Sequence, residues 1–239
     1  MNGLITLLGS GEYLPVMEPV DRYLLQSLHT NGHAPRVACL PTAAGQEGDE
    51  SVERWSRMGL EHFQRLGADV SAPRIVDRAS ADDPRWEATL EAADLVYFSG
   101  GKPDYLYRTL RGSRAWAAIQ GGWERGAAYA GCSAGAMVLA QRIPNFRAAG
   151  LASMPGFGIL PAAYVIPHFD RMRGLWSAYL FGVRRQLKDG EFILGVDEDT
   201  ALVGRLGGDW RVMGRSNVHV ITRDAWQEYV PGESVPMPG

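Results

Sequence analysis

Short apolar runs and helical patterns alternate along almost the whole of this chain, and that alternation restricts its fold more than any other feature. Residues 4–8, 36–40 and 94–98 read as strands, and 69–75 as a further one. Residues 19–28, 52–66, 86–93, 104–110 and 113–125 read as helices between them. The pattern predicts an α/β three-layer sandwich, a mainly parallel sheet with helices on both faces. After about Thr200 the rhythm changes to short strands at 201–206, 209–213 and 218–222, with Gly207-Gly208 as a hairpin signal. A length of 239 residues with 46% hydrophobic content is enough for one large core. No repeat, low-complexity run or linker divides the chain, so residues 1–239 are read as a single domain.

Charge and targeting signals narrow the function classes. A net charge of −3 offers no attraction to nucleic acid or to an anionic membrane. No run has the length of a membrane span. Residues 1–8 lack the positive flank and length of a signal peptide and read as a first buried strand, so cytoplasmic residence is the expectation. The two cysteines, Cys39 and Cys132, form neither a disulfide framework nor a zinc spacing.

Ligands of open parallel sheets bind at the C-terminal ends of strands. Four candidate segments fall there: Gly9-Ser-Gly-Glu12, Pro41-Thr-Ala-Ala44, Gly100-Gly101, and the stretch Gly131-Cys132-Ser133-Ala134-Gly135. The last has the G-x-S-x-G spacing of a nucleophile elbow. A serine is a useful nucleophile only when its hydroxyl stands clear of the backbone and faces a base. A sharp strand-to-helix turn achieves this but crowds the residues two before and two after, where this chain has glycine. The following helix directs its free N–H groups and positive dipole end at the place where an oxyanion would form.

Such a serine needs a base and a carboxylate to orient it. His29 and His33 flank a helix end and read as surface residues; His62 in a helix and His219 in a late strand read as structural. His168 differs, because Pro167-His168-Phe169 follows the apolar run 163–166 downstream of the elbow. The acids Asp197, Glu198 and Asp199 follow the run 192–196. Neighbours on an extended chain face opposite ways, and the pattern leaves all three open. For the oxyanion, Ala134 follows the serine, and Gly100-Gly101 lets a second backbone N–H approach closely.

This ordered set, Gly100-Gly101, residues 130–136, Pro-His-Phe and residues 195–202, resembles the serine peptidase family of aspartyl dipeptidase (dipeptidase E) and cyanophycinase. The resemblance runs from Gly9-Ser-Gly-Glu12 to about Leu202. It implies a class I glutamine amidotransferase-like fold and a Ser-His-Glu triad. Ser133 would be the nucleophile, His168 the general base and acid, and Glu198 the orienter, with Gly101 and Ala134 as oxyanion donors. No metal and no cofactor is called for; the partner is a small peptide substrate, and a homodimer is implied on family grounds. Members release amino-terminal aspartyl residues from dipeptides or cleave the aspartate-linked arginine units of cyanophycin. An aspartyl carboxylate asks for a cation, and Arg171, Arg173 and Lys102 are the candidates. Two departures stand out. Lys102-Pro103 follows Gly-Gly where the family has Asn or Asp, and the Thr-Arg stretch of dipeptidase E is not evident in residues 170–175.

The expectation is a serine exopeptidase acting on small peptides, foremost dipeptides with an N-terminal aspartyl residue. The alternatives are a cyanophycinase-like hydrolase and a catalytically inactive small-molecule-binding module of the same fold. Cys132 as nucleophile is disfavoured, since the glycines bracket Ser133. An α/β-hydrolase esterase is disfavoured because its acid precedes its histidine in the chain.

Overall fold

Leu95-Val-Tyr-Phe98 is apolar at every position, and a strand of that kind must be covered on both faces. The computed structural model describes residues 2–145 and 153–237; the side chains of residues 173–179 and 181 lie outside it. Five strands, β1 (Ile5–Leu8), β2 (Arg36–Leu40), β3 (Asp69–Ser71), β4 (Leu95–Phe98) and β5 (Ala128–Cys132), run parallel in the order β1-β5-β4-β2-β3. The strand expected at 69–75 stops at Ser71, just before Pro73, which has no N–H to give a ladder.

The two-residue period of β4 divides the core. Leu95 and Tyr97 face helices α1 (Glu18–Gln26) and α2 (Asp49–Arg65), meeting Val20, Leu24 and Phe63. Val96 and Phe98 face the other way, into a layer built from α3 (Arg78–Ala81), α4 (Glu87–Glu91), α5 (Pro103–Leu110) and α6 (Arg114–Glu124). Each large side chain fully buried in this way contributes about 1.5–3 kcal/mol. The end charges of α2 suit its dipole, with Asp49 and Glu50 in the first turn and Arg65 in the last. Ser113 caps α6 by accepting the Trp116 N–H. Three layers result, as the alternation predicts.

Beyond β5 come α7 (Ala134–Met137), β6 (Arg142–Pro144), β7 (Ser153–Pro155), β8 (Ala163–Ile166), α8 (Phe169–Arg184) and β9 (Phe192–Val196). The chain then forms β10 (Thr200–Gly204), β11 (Trp210–Gly214), β12 (Val218–Ile221), β13 (Trp226–Tyr229) and β14 (Ser234–Val235). β10, β11 and β14 extend the first sheet antiparallel beyond β1, and Gly207-Gly208 lies in the turn between β10 and β11. β6 and β7 pair antiparallel as a two-stranded ribbon, and the remaining four strands make a second sheet, β13-β12-β9-β8, in which β8 and β9 are parallel. One of its faces joins the core through Val165, Leu194 and Val220. The other carries Tyr164, Ile166 and Ile193 against Phe169, Leu180 and Val183 of α8. The run at 218–222 therefore leaves the sheet of its sequence neighbours. Among the described residues, no helix is long and apolar enough to cross a membrane.

Candidate active site

The turn from β5 into α7 is tight enough to strain its apex. Ser133 has φ 49° and ψ −104°, a conformation costing about 1–3 kcal/mol that only its surroundings can hold. Those surroundings are specific. The Ser133 N–H donates to the Leu8 carbonyl at 3.0 Å, and the Tyr129 hydroxyl donates to the Gly135 carbonyl at 2.7 Å. A Cβ on Gly131 would lie 2.4 Å from the Gly135 backbone, and one on Gly135 would lie 2.8 Å from the Phe98 Cβ. The two glycines of the motif are thus demanded by contact. α7 spans only four residues, so the expected helix-dipole field is reduced to local N–H groups, because few aligned peptides contribute.

Cys132 faces away from this apex. It is fully buried, its thiol donates to Glu12 Oε2 at 2.8 Å, and burial together with Glu12 pushes its pKa well above the usual thiol range. A thiol so held is not a nucleophile.

His168 ends the connection from β8 and starts α8 in a left-handed conformation, φ 50° and ψ 37°. Its ring bridges two elements distant in sequence. Nε2 lies 3.2 Å from Ser133 Oγ and Nδ1 lies 3.0 Å from Glu198 Oε1. A carboxylate only accepts, so Nδ1 carries the hydrogen and the Nε2 lone pair faces the serine. Arg171, one turn into α8, donates from Nε to Glu198 Oε2 at 2.8 Å. The Glu198 carboxyl is held below the usual carboxylate range by Arg171 first and His168 second, against a smaller opposing effect of burial.

The three adjacent acids point in three directions. Asp197 turns inward, accepting from Ser216 Oγ at 2.9 Å, the Asn217 N–H at 3.2 Å and His219 Nε2 at 3.2 Å. Burial alone would raise its pKa, but these donors together lower it. Asp199 turns toward Arg215 Nη1 at 3.4 Å, and its N–H donates to Ser10 Oγ at 3.1 Å. Glu198 is the acid that meets His168. The other histidines match their structural and surface readings: His62 is buried against Asp21 at 2.8 Å, His219 against Asp197, and His33 is exposed.

Two backbone donors flank the serine. Gly100 N–H is taken by Glu12 Oε1 at 2.7 Å and Lys102 N–H by the Ala43 carbonyl at 2.9 Å. Between them the Gly101 N–H has no acceptor among the described residues, nor has that of Ala134. Gly101 sits at φ 142°, and a Cβ there would lie 2.5 Å from Ala43 backbone atoms. Ser133, His168, Gly101, Lys102, Met137 and Met172 border an open cleft of about 810 Å³. Lys102 is the described member of the three cation candidates that lines it, with Nζ 3.5 Å from Gln46 Oε1. Arg171 donates its Nε–H to Glu198, and the side chain of Arg173 lies outside the described residues.

The segments after β1 and β2 support the site from behind. Ser10 and Glu12 hold the acid turn and the Gly100 loop, while Ala43 holds Lys102. The sequence marks these segments by position, but their partners lie too far along the chain to be read from it.

The family model for peptidase family S51 matches residues 5–207, a range containing Ser133, His168 and Glu198. The chain belongs to peptidase family S51. Among S51-type relatives, a cyanophycinase of Synechococcus elongatus is 29% identical over 199 residues, covering 77% of this chain and 58% of that protein. A cyanophycinase of a Nostoc species is 28% identical over 173 residues, covering 66% and 55%. The chain thus spans little more than half the length of these curated relatives. The crystal structure of a peptidase from an acI-B1 Actinobacterium is 37% identical, with a TM-score of 0.88, covering 98% of this chain and 97% of that one. A peptidase E-type protein of Listeria monocytogenes, 19% identical with a TM-score of 0.62 over 90% of this chain and 100% of that one, shares the fold.

Proposed function

We propose that this S51 chain is a serine-type exopeptidase of the dipeptidase E and cyanophycinase type, working as one domain over residues 1–239 through a Ser133-His168-Glu198 triad. One observation carries the reading. Ser133 Oγ, His168 and Glu198 form a continuous hydrogen-bonded chain at 3.2 and 3.0 Å that opens onto a cleft beside two unengaged backbone N–H groups.

The reaction follows from that geometry. Ser133 Oγ attacks the scissile carbonyl carbon while its proton passes to His168 Nε2. Glu198, accepting from Nδ1–H, keeps the imidazole in the required tautomer and stabilises the imidazolium. The carbonyl oxygen becomes an anion and receives the Gly101 and Ala134 N–H groups. His168 then returns the proton to the departing amine, leaving an acyl-enzyme on Ser133. Water, deprotonated by the same Nε2, releases the acid product and restores the serine. The resting Nε2 to Oγ separation of 3.2 Å is at the long end for proton transfer and shortens with substrate bound.

For substrate we infer a small peptide with an N-terminal aspartyl residue, its side-chain carboxylate held by Lys102 at the cleft wall. Arg171 then acts on Glu198 rather than on substrate. The test is a hydrolysis screen of Asp-X dipeptides, other dipeptides and arginine-bearing aspartyl peptides, with wild type beside Ser133→Ala. Release from Asp-X that vanishes in Ser133→Ala is the expected result. Cleavage confined to arginine-bearing aspartyl peptides favours the cyanophycinase-like alternative. Silence on every peptide overturns the peptidase reading and leaves a binding module.

A further inference from the structure

The loop after β1 carries a carboxyl group that the triad does not use. Glu12 is 8% exposed and lies behind the elbow. Its Oε1 accepts the Gly100 N–H at 2.7 Å and its Oε2 accepts the Cys132 S–H at 2.8 Å. Those two partners are the immediate neighbours of Gly101 and Ser133. Glu12 therefore ties the loop bearing one oxyanion donor to the strand bearing the nucleophile, across 88 and 120 residues of sequence.

This contact takes up one of the three successive N–H groups of the loop. Gly100 is buried, and its N–H must find an acceptor. With that donor turned back onto Glu12 and the Lys102 N–H turned onto Ala43, the Gly101 N–H is the one left over beside Ser133. A glycine pair has no Cβ to resist rotation of the peptide between its members, so the loop needs an outside hold. The same β1 loop supplies Ser10 Oγ to the Asp199 N–H, next to Glu198. One loop thus touches the neighbours of the nucleophile, of an oxyanion donor and of the orienting acid.

We propose that Glu12 is a positioning residue for the oxyanion hole, setting the Gly100–Gly101 peptide so that the Gly101 N–H meets the anion formed at Ser133. The inference rests on the triad reading above. Its hydrogen-bonding requirement is for acceptors at two points. A glutamine keeps an acceptor for Gly100 and places an amide against the Cys132 sulfur; an alanine keeps neither.

The experiment measures labelling of Ser133 by an alkyl fluorophosphonate, with the saturation constant KI and limiting rate kinact determined separately. Phosphonylation uses the nucleophile, the base and the oxyanion donors without depending on peptide preference. Glu12→Ala is expected to lower kinact about 100-fold with KI within about 3-fold, the scale of a displaced oxyanion donor. Glu12→Gln is expected to retain kinact within about 3-fold. Circular dichroism confirms that each variant is folded at the labelling temperature. Should Glu12→Ala not fold, Glu12→Asp serves, since its shorter side chain cannot span both partners; it is expected to lose kinact at unchanged KI. Wild-type kinact in the folded Ala or Asp variant overturns the inference, as does a Gln variant as slow as Ala. A wild-type protein that is not labelled at Ser133, or that Ser133→Ala leaves equally labelled, instead overturns the triad reading and takes this inference with it.

Discussion

Replacing Glu198 with glutamine keeps the size and nearly the shape of the side chain, yet its consequence is set by Arg171. In the wild type Glu198 receives two N–H groups, from His168 Nδ1 and Arg171 Nε. An amide has one oxygen and one NH2 to offer them. Facing its NH2 toward the arginine would oppose two donors and lose a charge-assisted bond, at a cost on the order of 1–3 kcal/mol. The oxygen therefore stays on Arg171 and the NH2 turns to His168, which answers by moving its hydrogen to Nε2. That tautomer presents N–H, not a lone pair, to Ser133. The loss expected for a triad whose base is held in the wrong tautomer is about 10⁴-fold, or roughly 5.4 kcal/mol of barrier. The same reasoning makes an unusual forecast for the double variant. In Glu198→Gln with Arg171→Ala, nothing holds the amide oxygen outward, and activity is expected to rise about 10-fold above Glu198→Gln alone. Fluorophosphonate labelling of Ser133 gives the rates, and nitrogen-15 NMR of the histidine ring reads the tautomer. A Glu198→Gln single variant retaining a tenth or more of the wild-type rate refutes the reasoning. So does a double variant slower than the single one.

Three further outcomes are expected. Because the folded-state pKa of Glu198 lies below its unfolded value, its ionic contacts are complete above the ordinary carboxylate range and fade only as pH falls through the depressed value. A carbon-13 titration of Glu198 should therefore have a midpoint below that of a free glutamate, and Arg171→Ala should raise it; an unmoved midpoint contradicts the assignment. His62→Leu strands Asp21 in the core and should destabilise the protein by about 3–5 kcal/mol in urea unfolding, while labelling of Ser133 at 25 °C stays near wild type. A rate loss matching that of His168→Ala would make His62 part of the chemistry. Burial pushes the Cys39 thiol up to about 12 and the Cys132 thiol well above its usual range. Iodoacetamide at pH 8 should then leave Ser133 labelling intact, and inactivation without unfolding would return Cys132 as the nucleophile.

The alternating apolar runs were enough to predict the three layers, since the two-residue period of a strand and the turn-by-turn period of a helix act over a few positions. The elbow was legible for the same reason. The clash that excludes a Cβ at Gly131 arises from Gly135, four residues away. His168 stood out by following a strand, although nothing local showed that its strand belongs to a second sheet. The acid cluster marks the limit of such reading. Asp197, Glu198 and Asp199 are chemically near-equivalent in the chain, and resemblance rather than pattern singled out Glu198. Each acquires its direction from a distant group: His219 draws in Asp197, Arg215 faces Asp199, and His168 with Arg171 takes Glu198. The contact of Arg171 with Glu198 is likewise set by where α8 packs and not by anything local to residue 171.

Glu12 shows the same division from the other side. Its place after β1 follows from the strand pattern, but both of its acceptor oxygens meet groups about 90 to 120 residues away. Local sterics and periodicity are properties of neighbouring residues and can be read from a string of letters. Which carboxyl faces which donor depends on how strands pair and helices pack across the whole chain, and only the folded arrangement of many weak contacts determines that.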